Sequence, residues 1–234
     1  MGAIYRREMG AFFTSGLAYV FLAVFYVFSG YYFYNEVITS GYTDTSPLFK
    51  NMFRIVLFLI PILTMRLLSE EKKNRTDQGL LTAPVGLWEI VLGKYLAALT
   101  IYVIAESVIF IYAMILGYLG DVVWATLLGN YFAMLLLGAA FIAVGLFISS
   151  LTENQMTAAV FSMALLFFIY LSDSFTERIT WEWLYDLTLQ LSFYSRYIEF
   201  TQGVFNLTSV LFYLSTAFLF NFFTVRVLEK RRWS

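Results

Sequence analysis

The residues able to do chemistry in this chain of 234 residues are few, and they are gathered in three places. The densest group runs Ser69-Glu70-Glu71-Lys72-Lys73-Asn74-Arg75-Thr76 and leads on to Leu80-Leu81-Thr82-Ala83-Pro84. Its mixed charge suits contact with another protein's surface, or a solvated basic flank, rather than bond-making. A second group, Arg6-Arg7-Glu8, lies near the N-terminus. The third is a pair of isolated charges, Arg54 and Glu106, inside otherwise apolar stretches. Histidine and cysteine are absent. That removes the commonest general base, thiolate chemistry, disulfides and His- or Cys-based metal sites. No Gly-x-x-x-x-Gly-Lys-Ser/Thr loop is present, so ATP is not bound by that route. The residue inventory points to docking and positioning, with no catalytic residue and no metal site expected.

The elements that must hold these groups are membrane helices. Hydrophobic residues make up 60% of the chain, aromatic residues 20% and charged residues 13%. A soluble domain carries about twice that charge fraction. Several apolar runs reach the roughly 18 residues that a bilayer span needs. A β-barrel would show short alternating segments instead. The sequence predicts an all-α integral membrane protein with six transmembrane helices, over about 16–34, 52–68, 90–118, 124–149, 156–171 and 207–228. It forms a single transmembrane domain over residues 1–234. No removable signal peptide is expected, because the first apolar run continues too far.

Three segments interrupt the spans. Residues 4–15 read as an interfacial helix, with Arg6, Arg7 and Glu8 opposite Ile4, Met9, Phe12 and Phe13. Residues 66–94 form a basic loop between spans two and three. Residues 173–206 are rich in Trp, Tyr and Phe and suit helices in or dipping into the outer interface. Pro61 should kink span two. Gly138, Gly145 and Ser149 lie at helical spacing and should allow close packing within the subunit.

Orientation follows from the basic residues. Arg6, Arg7, Arg66, Lys72, Lys73, Arg75, Lys94, Arg226, Lys230, Arg231 and Arg232 fall on one side, and Lys50, Arg54, Arg178 and Arg196 on the other, eleven against four. The excess marks the cytoplasmic face, so both termini and the 66–94 loop are expected there. Glu106 lies mid-span, where an unpaired charge costs roughly 3 kcal/mol or more. It could pair with Arg54, stay protonated against a neighbouring helix, or line a polar path. Arg54 could instead snorkel outward.

The order Ser69-Glu70-Glu71-Lys72, Arg75-Thr76, Leu80-Leu81-Thr82-Ala83-Pro84-Val85 and Glu89-Ile90-Val91-Leu92-Gly93-Lys94-Tyr95-Leu96 resembles the signature of ABC-2 type transporter permeases. Arg6-Arg7-Glu8 with Phe12-Phe13, Leu151-Thr152-Glu153-Asn154-Gln155 and the basic tail resemble the same family, most of all its gliding-motility-associated group. The resemblance spans nearly the whole chain. It implies a permease subunit in a bacterial inner (cytoplasmic) membrane, dimerised with a second copy or a related permease. It also implies docking on a cytoplasmic ABC ATPase dimer, so that ATP and Mg belong to the partner and the chain binds no cofactor itself. The family further implies a cytoplasmic coupling helix between spans two and three, placing Glu70, Glu71, Lys72, Lys73, Arg75, Thr76, Leu81 and Pro84 at the ATPase. An outer re-entrant helical hairpin between spans five and six is implied as well. The cargo expected is amphipathic or lipid-like, and nucleic acid is not a partner.

Two other readings compete. One is a membrane scaffold in an ATPase-driven cell-envelope or motility complex. The other is an ion-coupled secondary transporter, which would show inverted repeats and polar, broken midplane helices. The halves of this chain show no clear repeat.

Overall fold

The computed structural model describes residues 1–41, 43–76, 78–79, 85–120, 122–176 and 192–232, the side chains of 119 and 172–176 excepted. Among the described residues the chain is helical throughout, with no strand. Helix α1 covers Gly2–Thr14 and α2 covers Leu17–Tyr32, extended by a π-helical segment, Phe33–Ile38. Next come α3 (Ser46–Thr64), the short α4 (Ser69–Lys73), α5 (Leu87–Glu106) and α6 (Val108–Leu119). The chain continues with α7 (Trp124–Leu151), α8 (Gln155–Thr176), α9 (Phe193–Thr201) and α10 (Leu207–Arg232).

Five stretches are long and apolar enough to cross a membrane: Leu17–Ile38, Ser46–Lys73, Leu87–Tyr118, Trp124–Leu151 and Leu207–Arg232. The apolar part of α8, Gln155–Leu171, is shorter. Outward apolar side chains such as Val20, Val27 and Tyr31 on α2, Val160 and Phe168 on α8, and Leu211 and Phe218 on α10 are exposed. On a multi-pass membrane protein this is the surface that lipid covers, so it costs nothing.

Helix α7 is the central strut. From Leu136 to Leu146 every residue is buried, so the helix is apolar all round and enclosed on all sides. It packs against α3, α5, α8, α9 and α10. Its small residues let the neighbours approach. A Cβ on Gly138 would fall inside the Tyr102 ring of α5, and one on Gly145 would overlap Thr64 of α3. Tyr102 and Tyr95 then donate to the carbonyls of Met134 (2.9 Å) and Ala139 (3.1 Å), so their buried hydroxyls are satisfied. These contacts lie within one chain, as the spacing suggested.

Two sequence expectations need correction. The first two spans reach beyond 16–34 and 52–68 on the outer side, because helix continues from α2 to Ile38 and α3 begins at Ser46. Asp44 accepts from the Ser46 amide (2.9 Å), replacing a cap that composition alone does not reveal. Span three is interrupted at Ser107, which separates α5 from α6. Pro61 lies inside α3, which continues to Thr64, and Met65 donates to the Pro61 carbonyl (2.9 Å). Of the outer segment 173–206, α9 is a helix, while residues 177–191, with Trp181 and Trp183, lie outside the described residues.

Candidate functional site

Four elements meet at the end of the bundle where α3 gives way to α4. A four-residue turn, Met65–Leu68, swings the chain out of α3. Ser149, near the end of α7, clips this turn. Its hydroxyl accepts from the amides of Leu68 and Ser69 (both 3.1 Å) and donates to the Met65 carbonyl (3.0 Å). Helix α4 then has only five residues, far too few to be stable alone. Its charges follow the helix dipole, with Glu70 and Glu71 in the first turn and Lys72 and Lys73 in the last. Lys72 is buried and donates to the Ser150 carbonyl of α7.

The centre of the site is Lys94, in the second turn of α5. Its side chain is 1% exposed. The ammonium donates to Glu8 Oε1 of α1 (3.0 Å), to Glu71 Oε1 of α4 (2.9 Å) and to the Leu67 carbonyl (2.7 Å). Three donors meet three acceptors, as a buried ammonium requires. Arg7 closes the ring by pairing with both Glu8 (2.7 Å) and Glu71. Two cations and two carboxylates therefore cancel inside the cluster. Burial alone would raise the Glu8 carboxyl, but Lys94 and Arg7 outweigh it and hold Glu8 below its usual range. Burial works against the Arg7 guanidinium too, yet the two carboxylates leave it held above its usual value.

Packing brings α1 to this position. Gly93 leaves room for Ile4, whose side chain a Cβ there would meet at 2.9 Å. Tyr5 of α1 and Thr100 of α5 also share a hydroxyl hydrogen bond of 3.0 Å. Arg66 adds a second strap. It pairs with Glu70 (3.0 Å), bonds to Ser15 and lies over the Phe12 ring. A cleft of about 190 Å³ remains between Arg7, Glu70, Glu71, Asn74, Thr76 and Lys94.

The expected docking residues thus divide. Glu70, Glu71 and Lys72 are bonded inside the chain. Lys73, Arg75 and Thr76 are exposed at the end of α4, as is Arg6 on α1. Arg75 has φ of 56°, the left-handed conformation that normally falls to glycine at a helix end. The Thr76 amide returns to the Glu71 carbonyl (3.0 Å) and closes the turn. Leu81 and Pro84 lie outside the described residues. Lys94, counted at first only as a charge of the basic loop, is the residue that sequence reasoning missed. The available signal was a lysine set one helical turn inside an apolar helix.

Arg54 and Glu106 are not brought together. Arg54 is exposed and donates to Asn51 (2.7 Å) on its own helix. Glu106 is 2% exposed, and both of its carboxyl oxygens lack a hydrogen-bond partner among the described residues. It sits at the α5–α6 interruption beside Ser29, Phe49, Tyr112 and Met134. No group of three His, Cys, Asp or Glu that could hold a metal ion occurs among the described residues. The arrangement at α4 can carry force and offer a basic surface.

A family model described as "ABC-2 family transporter protein" matches residues 3–225. The match is to that family as a whole and does not reach the gliding-motility group. No curated protein matches the chain.

Proposed function

The chain belongs to the ABC-2 transporter family, and on that premise we propose that it is an export permease driven by a separate cytoplasmic ABC ATPase that docks at α4. Members of the family are transmembrane components of ATP-binding cassette transporters and are generally not catalytic themselves. The observation that carries the docking proposal is the Lys94 cluster. It fastens α4 to α1, to the end of α3 and to α5, so a push on this short helix reaches three membrane-associated elements together. A structured cytoplasmic element of this kind is what rigid-body coupling needs.

The docking surface we assign is Lys73, Asn74, Arg75 and Thr76; Leu81 and Pro84, expected there from the sequence, lie outside the described residues. An exposed arginine held in a left-handed conformation costs roughly 1 kcal/mol, which favours a use for its side chain. In the full arrangement α8 is the fifth of six spans, α1 lies along the cytoplasmic leaflet and both termini are cytoplasmic in a bacterial inner membrane. Two permeases, identical or related, stand on the ATPase dimer, which holds the ATP and Mg. The re-entrant segment expected over 173–206 falls largely on residues 177–191, which lie outside the described residues. A groove of about 320 Å³ between α2 and α3, lined by apolar side chains such as Val20, Phe28, Phe58 and Ile62, supports an amphipathic or lipid-like cargo.

Pull-down of the tagged permease from solubilised native membranes, probed for a bound ABC ATPase, tests the reading. The wild type should retain the ATPase. The Lys73→Glu/Arg75→Glu double variant should lose it while keeping its thermal unfolding midpoint. Retention by the double variant would sink the assigned surface, and no ATPase with the wild type would sink the reading itself.

A further inference from the structure

At the opposite end of α3, about 28 Å from α4 at 1.5 Å per residue, lies a second polar site that the docking reading does not use. It is a cleft of about 550 Å³ between the starts of α3 and α7 and the end of α9. Lys50 is its only cation, half-buried, and makes no hydrogen bond or ion pair among the described residues. Thr45 is 3% exposed, lines the cleft and does not cap α3 with its side chain, which leaves its hydroxyl as a donor in the cleft wall. Thr126 and Gln202 add a further hydroxyl and an amide to the wall. The one described carboxylate, Asp44, has its Oδ1 turned to the Ser46 amide (2.9 Å) and hydroxyl (2.7 Å). Asp44 balances Lys50 in formal charge, but with Oδ1 held by Ser46 the ammonium of Lys50 and the hydroxyl and amide donors of Thr45, Thr126 and Gln202 are what the wall offers an anion, the chemistry that binds phosphoryl oxygens. The cleft borders exposed Val123, Trp124, Val204 and Phe205, an apolar and aromatic rim of the kind found where headgroups meet acyl chains.

We infer that this cleft binds the phosphoryl group of an amphipathic molecule, with Lys50 as its counter-charge and Thr45 as a hydrogen-bond donor. The inference stands whether or not an ATPase docks at α4, because it needs only the permease. Its test is titration of the full chain in neutral detergent with short-chain phosphatidic acid, inorganic phosphate and short-chain diacylglycerol, read by Trp fluorescence and native mass spectrometry. Phosphatidic acid should bind saturably. Lys50→Gln should weaken it at least tenfold, Thr45→Val about threefold, and Lys50→Arg little. Comparable binding of inorganic phosphate, lost in Lys50→Gln, would assign the same site to the free anion. Tighter binding of the neutral diacylglycerol, or phosphatidic acid binding unchanged in Lys50→Gln, would overturn the inference.

Discussion

Lys94 shows how one residue can decide whether a short helix exists. Replacing it with methionine keeps the stem but leaves Glu8 and Glu71 facing each other with only Arg7 between them. Breaking a buried ion pair from one side costs about 3–5 kcal/mol, so Lys94→Met should lower the unfolding midpoint in detergent markedly. The pH dependence follows from Glu8, whose carboxyl is held below its ordinary value of 4.5. A depressed carboxyl stabilises the fold fully above its ordinary value and loses that contribution as pH falls toward the folded value. The unfolding midpoint should therefore fall as pH drops below about 4.5, and Glu8→Gln should flatten that fall. An equal slope in wild type and Glu8→Gln would remove Glu8 from the account. The sequence marked Arg7, Glu8 and Glu71 as charged groups of interest, but it assigned Glu71 outward. Pairing across 64 residues, from Arg7 to Glu71, leaves no periodic trace in the chain. Glu106 was legible as a mid-span charge. Its separation from Arg54 was not, since Asn51, on the same helix, offers Arg54 a nearer partner.

At the scale of elements, the helices around α7 are positioned by missing side chains as much as by present ones. Gly138→Ala and Gly145→Ala each force a methyl into an occupied place, the Tyr102 ring and Thr64 respectively. Overpacking of this kind costs typically 1–3 kcal/mol. Gly129, on the same helix, has open space around its Cβ position, so Gly129→Ala should be neutral or slightly stabilising. Thermal unfolding of the three variants checks the contrast, and equal effects would mean that the glycines act through helix propensity alone. The positions of the helices were well legible, because apolar runs of membrane length admit few alternatives. Their ends were less so. The start of α3 depends on Asp44 turning back to cap Ser46, and the break at Ser107 follows Glu106, a lone polar interruption that an apolar run of membrane length otherwise hides.

For the whole molecule, the two polar sites lie at opposite ends of α3, Lys50 at one and the α4 surface at the other. With no native cysteine, single substitutions Ser40→Cys and Lys73→Cys can be labelled by a membrane-impermeant maleimide. In intact cells Ser40→Cys should label from outside, and Lys73→Cys only after the membrane is opened. Labelling of both from one side would contradict the proposed orientation.

The buried ammonium at the head of α5 also bears on how the protein is made. In the proposed orientation, until α1 and α4 close over Lys94 its charge would belong to the basic flank that holds the 66–94 segment on the cytoplasmic side. Once the bundle assembles, Glu8, Glu71 and the Leu67 carbonyl absorb the same charge, and the finished surface no longer shows it. One lysine thus serves first as a topological signal to the insertion machinery and then as an internal fastening. A neutral residue there fails at both stages, whereas an arginine satisfies the first and must crowd the second.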